Sequence, residues 1–184
     1  KIRRLNSQGQ CDSDFAEFYM KYFAETTDGS LAGCYMEDEI SGPVTVNPGL
    51  VCMEDGEVKL HLDIRYPVTC TSEEIINGLK KAMKPELDSG RLTVELAADD
   101  KPMYVRKESH LVQTLLAAYR SVTGDQSEPA AIGGGTYAKA MGNIVAFGPV
   151  FPGHECTEHQ SNEFVEIEDL YKARRIYKEA LKNL

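Results

Sequence analysis

Between Ala130 and Glu163 the chain gathers residue types suited to holding anions, metals and protons. It runs Ala130-Ala-Ile-Gly-Gly-Gly-Thr-Tyr-Ala138, then Ile144-Val-Ala-Phe-Gly-Pro149, then Phe151-Pro-Gly-His-Glu-Cys-Thr-Glu-His-Gln-Ser-Asn-Glu163. Two of the four histidines, His154 and His159, fall here amid carboxylates. A neutral imidazole can bind Zn²⁺ through one nitrogen while a carboxylate holds the other, so the pattern suits a metal or acid/base site. A zinc centre needs three or four ligands, which one histidine does not supply. His154 is a second ligand or an exposed turn residue. The run Gly133-Gly-Gly-Thr136 offers backbone N–H groups to an anion or a developing oxyanion, or simply forms a tight turn. It lacks the Gly-Lys-Ser/Thr of a phosphate loop. Arg65 presents a planar two-pronged donor suited to a carboxylate, and an ordinary ion pair with Asp63 or Glu57 is the alternative. His61 shares the polar face of that strand, and His110 sits in the first turn of a helix, where solvation or capping explains it.

These groups need a scaffold, and composition bounds what it is. With 184 residues, 42% of them hydrophobic, the chain can bury a core. A net charge of -9 argues against a nucleic-acid or anionic-membrane surface, since both need a basic patch. No apolar run approaches a bilayer span, and no hydrophobic signal core follows Lys1-Ile-Arg-Arg, so a soluble, cytoplasmic protein is expected. Five scattered cysteines without C-x-x-C spacing indicate neither a disulfide framework nor a cysteine zinc site. The start at Lys1 without Met suggests a fragment.

Periodicity then supplies the elements. Phe15, Phe18, Tyr19, Tyr22 and Phe23 fall on one helical stripe within Ser13 to Glu25. Thr45 to Met53, the turn Glu54-Asp55-Gly56 and the alternating Glu57 to Tyr66 read as a β-hairpin ended by Pro67. Its inward face carries Val58, Leu60, Leu62, Ile64 and Tyr66. Thr71-Ser-Glu-Glu74 is a capping box, opening a helix with Ile75, Ile76, Leu79, Ala82 and Met83 inward and closed by Pro85. Leu92, Val94 and Leu96 alternate in a further strand. With Lys1 to Leu5 as a possible first strand, the order is a split βαβ sandwich of ferredoxin-like type. Asp99-Asp-Lys-Pro102 reads as a boundary. Beyond it Ser109 caps a helix that Gly124 ends, with Leu111, Val112, Leu115, Leu116, Ala118, Tyr119 and Val122 as its stripe. Two short strands carry the turns described above. A final helix has Glu166, Glu168 and Asp169 in its first turn, Lys178 and Lys182 near its end, and Leu170, Ala173, Tyr177, Ala180 and Leu184 along it.

Taken in order, Asp63-Ile-Arg-Tyr-Pro67, His110-Leu-Val-Gln-Thr114 with Gly124, Gly134-Gly-Thr-Tyr-Ala138, Phe147-Gly-Pro-Val-Phe-Pro-Gly153 and Glu158-His-Gln-Ser-Asn-Glu163 form a specific series. The series resembles the C-terminal part of the dinuclear-zinc peptidase family of aminoacylase, acetylornithine deacetylase, succinyl-diaminopimelate desuccinylase and carnosinase, and within it the bacterial Xaa-His (β-Ala-Xaa) dipeptidases. The resemblance covers nearly the whole chain.

It implies an α/β (α+β) chain. Lys1 to Asp100 then form the latter half of a ferredoxin-like lid domain, and Lys101 to Leu184 the C-terminal α/β segment of a split zinc-peptidase catalytic domain. It implies His159 as a zinc ligand and Arg65 as the clamp on the carboxylate of a dipeptide substrate. Gly135 and Thr136 fall where the family's glycine-rich loop meets substrate. His154 falls where relatives vary. The H-x-D motif, bridging Asp, Glu-Glu pair and further acidic ligand of the family belong upstream of the matched region, in a missing N-terminal half, so no catalytic residue is expected in this piece. By itself it is expected to be inactive and to bind zinc weakly. An N-acyl amino acid deacylase of the same family and a non-catalytic dimerisation or binding module are the alternatives.

Overall fold

A computed structural model of the chain describes residues 2–5, 11–54, 56–148, 150–155 and 157–184. Lys1, the turn residue Asp55, Pro149 and Cys156 lie outside the described residues, as do 6–10. The chain divides into two units, Lys1–Met103 and Tyr104–Leu184.

In the first unit the alternating run folds as expected: strand β4 (Thr45–Glu54) pairs antiparallel with β5 (Glu57–Arg65). The register shifts between Pro48 and Leu50, and β4 is an edge strand, where a proline and a bulge are tolerated. Strand β1 (Ile2–Leu5) lies between β5 and β6 (Leu92–Val94), antiparallel to both. The resulting order β4-β5-β1-β6 has the last strand beside the first and the hairpin beyond it, which is the arrangement of the split βαβ sandwich. A two-stranded ladder of β2 (Glu37–Asp38) and β3 (Gly42–Pro43) precedes the hairpin.

Helix α1 (Cys11–Tyr22) and helix α2 (Ser72–Ala82) supply the sheet's apolar cover. Phe18, Tyr22 and Phe23 from the aromatic stripe are buried with Ile75, Leu79 and Met83 against Val46, Leu60 and Leu92. Each such side chain contributes roughly 1.5–3 kcal/mol when taken fully from water. The capping box forms as the sequence predicts: the Thr71 hydroxyl accepts from the Glu74 N–H at 3.3 Å, and the Glu74 carboxylate accepts from the Thr71 N–H at 2.9 Å. Gly78 is required for packing, because a Cβ there would lie 2.3 Å from the Gly33 carbonyl oxygen.

Two expectations for this unit change. Pro85 does not close α2. That helix stops at Ala82, with the Met83 N–H donating to Leu79, and Pro85 sits in the first turn of a short helix α3 (Lys84–Asp88). A proline's missing N–H is harmless there, because a first-turn amide has no helical partner. Leu96 lies past the end of β6 and is exposed.

The second unit rests on two helices. Helix α4 (His110–Thr123) begins at Ser109, whose hydroxyl accepts from the Val112 N–H, and ends at Gly124 in the left-handed conformation (φ 75°), as its signals predict. Helix α5 (Ile167–Asn183) packs Ala173, Ile176 and Ala180 against Ala118 and Phe151. Leu170, Tyr177 and Leu184, expected along its inner stripe, are exposed, and Ile176 takes the inward place. The two short strands are also corrected: residues 130–132 and 144–148 carry no strand among the described residues. A strand is defined by its ladder, and among the described residues no neighbouring backbone pairs with either run. A 3-10 turn (Tyr137–Ala140) lies between them.

Candidate functional site

Arg65 is the last residue of β5, on the face opposite the core. Its Nη2 lies 3.3 Å from Asp63 Oδ2, and both side chains are about half exposed. The pair named as the alternative partner therefore forms, and at this exposure it contributes at most about 1 kcal/mol. The chain just beyond is fixed by Asp38. One of its oxygens accepts from the Ser41 backbone and hydroxyl, and the other accepts from the Thr69 N–H and hydroxyl at 3.1 and 2.9 Å. These donors, the Ser41 N–H foremost, hold the Asp38 carboxyl well below the usual carboxylate range. The Ser41 hydroxyl in turn accepts from the Val68 N–H. The segment leaving Arg65 is thus tied to the loop after β2.

In the second unit, Gly135 is exposed with open space about it, and Thr136 caps the 3-10 turn by accepting from the Ala138 N–H at 3.2 Å. His159 is exposed, on a loop that ends where α5 begins. Its backbone has φ 62°, a left-handed conformation uncommon outside glycine, and Asn162 follows at φ 64°. The His159 N–H donates to Glu163 Oε2 at 3.3 Å. Its ring nitrogens have no hydrogen-bond partner among the described residues, which leaves them available as ligands. The loop is closed at its base by Thr157, whose Oγ1 both donates to the Phe164 carbonyl and accepts from the Phe164 N–H, each at 3.2 Å.

The other groupings differ from the sequence reading. His154 is not an exposed turn residue: its Nδ1 lies 2.6 Å from Asp169 Oδ2 and 4.0 Å from Glu166 Oε1. Asp169 is 3% exposed, and Lys172 holds its second oxygen at 3.1 Å. Sequence reasoning placed Asp169 as a first-turn acid complementing the helix dipole, whereas it is a buried carboxylate with two basic partners. His154, Glu166 and Asp169 form the one group of three potential metal-ligating side chains among the described residues. Beside them a cleft of about 290 Å³ is lined by Tyr119, Phe151, His154, Lys172 and Arg175. His61-Leu-Asp63 has H-x-D spacing that sequence reasoning passed over. It alternates along β5, with Asp63 engaged by Arg65, and belongs to no such group of three. His110 opens α4 and is exposed, in keeping with solvation.

Zinc fits His159 as one corner of a site: the donor type suits the ion and the ring is accessible. His159 has no second and third ligand about it among the described residues. Arg65 belongs to the first unit, and Gly135, Thr136 and His159 to the second.

Comparison with known proteins gives one answer. The sequence pattern described as "Peptidase family M20/M25/M40" matches residues 20–183. A protein of Staphylococcus saprophyticus named "Putative dipeptidase" is 35% identical over 173 residues, covering 94% of this chain and 36% of its own length. "Putative dipeptidase YtjP" of Bacillus subtilis (strain 168) is 36% identical over 171 residues, covering 92% and 35%. A "Putative dipeptidase" of Staphylococcus epidermidis is 36% identical over 169 residues, covering 91% and 35%. The chain thus spans little more than a third of the length of these relatives.

Proposed function

This chain belongs to peptidase family M20/M25/M40, and from that premise we propose that it is the C-terminal portion of a zinc-dependent dipeptidase, combining the latter half of a lid domain with the closing segment of the catalytic domain. The observation that carries the reading is His159: an accessible imidazole, without a hydrogen-bond partner among the described residues, on a stapled loop inside a motif series that the family pattern matches from residue 20 to residue 183. The dipeptidase names of three relatives, with only 35–36% of their length represented here, support both the substrate class and the reading as a portion.

In this proposal His159 holds one position of a metal site whose other ligands come from the preceding part of a longer protein. Two zinc ions, when bound, supply Lewis-acid polarisation and a hydroxide at neutral pH. Arg65 receives the terminal carboxylate of the dipeptide, exchanging its weak bond to Asp63 for a bidentate pair. Gly135, exposed and with open space where a side chain would stand, lets substrate approach the backbone closely, and Thr136 caps the turn that follows. The chain contributes recognition and one ligand; the group that accepts the water proton lies elsewhere.

The test is expression of the full-length gene product, followed by assay of dipeptide hydrolysis with and without chelator. Hydrolysis that is abolished by chelation and restored by Zn²⁺ is expected, and N-acetyl amino acids offered to the same enzyme separate a dipeptidase from a deacylase. A product that cleaves no dipeptide or N-acyl amino acid under any divalent metal would overturn the proposal.

A further inference from the structure

We infer that Thr157 is the positioning residue for His159, its buried hydroxyl fixing the loop on which the imidazole is presented to metal; the inference rests on the reading of His159 as a ligand. Thr157 is 8% exposed and, with Asp169, is one of two buried polar or charged side chains among the described residues. A buried hydroxyl requires partners, and both of its bonds go to one residue, the Phe164 N–H and carbonyl at 3.2 Å each. A single side chain thereby closes the loop from Thr157 to Phe164 as a pair of ladder bonds closes a hairpin.

Local bonds accompany this closure. The Gln160 N–H donates to the Thr157 carbonyl at 3.1 Å, the Glu163 N–H to the Gln160 carbonyl at 3.3 Å, and the His159 N–H to the Glu163 carboxylate at 3.3 Å. Against these stand left-handed conformations at His159 and Asn162, which cost of order 1–3 kcal/mol each and persist only where the surroundings over-determine them. The exposed ring of His159 makes no hydrogen bond among the described residues, so it does not offset that strain. The link between the ends of the turn is supplied by Thr157. A ligand held within a few tenths of an ångström needs such support, and loss of an outer partner typically weakens metal affinity 10- to 100-fold.

The experiment compares Thr157→Val, which keeps the volume and removes the hydroxyl, with Thr157→Ser and Thr157→Cys in the full-length gene product. Zinc dissociation constants are read by competition with a chromophoric chelator, and Phe164 amide exchange reports on loop closure. Zinc affinity should fall about 10- to 100-fold in Thr157→Val, recover to within about threefold in Thr157→Ser, and lie between in Thr157→Cys. Should Thr157→Val not fold, the Ser and Cys variants carry the same ordering. Wild-type affinity across the series, while His159→Ala loses zinc, overturns the role of Thr157 alone. Unchanged zinc binding in His159→Ala overturns the ligand reading and, with it, this inference.

Discussion

The two units differ in how they hold their shape. Among the described residues, twelve buried side chains of the first form one cluster under a four-stranded sheet, whereas the cluster of the second has five. The second unit leaves Ile132, Tyr137, Met141, Phe164, Ile167, Tyr171 and Leu181 exposed, Tyr137 almost completely. Yet His159, Gly135 and Thr136 all stand on it. A small core cannot fix a loop by burial, so this region fixes its loops with individual polar bonds: Thr157 to Phe164, His154 to Asp169, Thr136 to Ala138. Scaffold order comes from area removed from water in one unit and from directed hydrogen bonds in the other.

The largest effect expected from this contrast is a pair of truncations. Leu60→Ala should cost the first unit about 4 kcal/mol, near the top of the range for well-packed sites, and Ile176→Ala should cost the second about 2 kcal/mol, because its thinner surroundings can collapse or admit water. Urea unfolding of each variant measures both, and equal losses would break the comparison. Next is Gly78→Ala, where the new methyl meets the Gly33 backbone; a loss of about 3 kcal/mol is expected, with α2 amides exchanging faster.

Asp169→Asn sharpens the other side. Removing this buried charge leaves His154 and Lys172 without their anion, but both are about a third exposed and partly solvated, so about 1–2 kcal/mol is expected. The diagnostic result is loosening confined to residues 151–166, read by amide exchange; loosening spread over α4 and α5 would show a general packing role.

The mildest prediction concerns acid. The Asp38 carboxyl is held below its ordinary value in the folded state, so its stabilisation is present above about pH 3.9 and is lost as pH falls below that value. Asp38→Asn should therefore lower first-unit stability at neutral pH and flatten its acid limb between about pH 5 and about pH 2, the two proteins converging as the wild-type carboxyl takes up its proton. An acid limb as steep as that of the wild type would refute the role of the Asp38 network.

What was legible in the sequence follows the same division. The capping box at Thr71, the hairpin from Thr45, the aromatic stripe and the Ser109-to-Gly124 helix are set by neighbours within four residues or by strict alternation, and each formed. Pro85 misled because a proline reads alike as a stop or as the opening residue of another helix. The runs at 130–132 and 144–148 have strand composition, but composition does not supply a ladder partner. The His154–Asp169 pair spans fifteen residues between a turn and a helix, and no periodicity couples them. Asp169 looked like any first-turn acid; only its burial reveals that it anchors the preceding loop.

Cys34 offers a reporter that needs no engineering. The thiol is wholly enclosed, and burial pushes its pKa up to about 11, so it is protonated and shielded from alkylating reagents while the first unit stays closed. Cys52 on the outer strand is exposed throughout. Timed labelling, followed by mass determination of the modified peptides, turns the delay between the two thiols into a clock for how often that core opens.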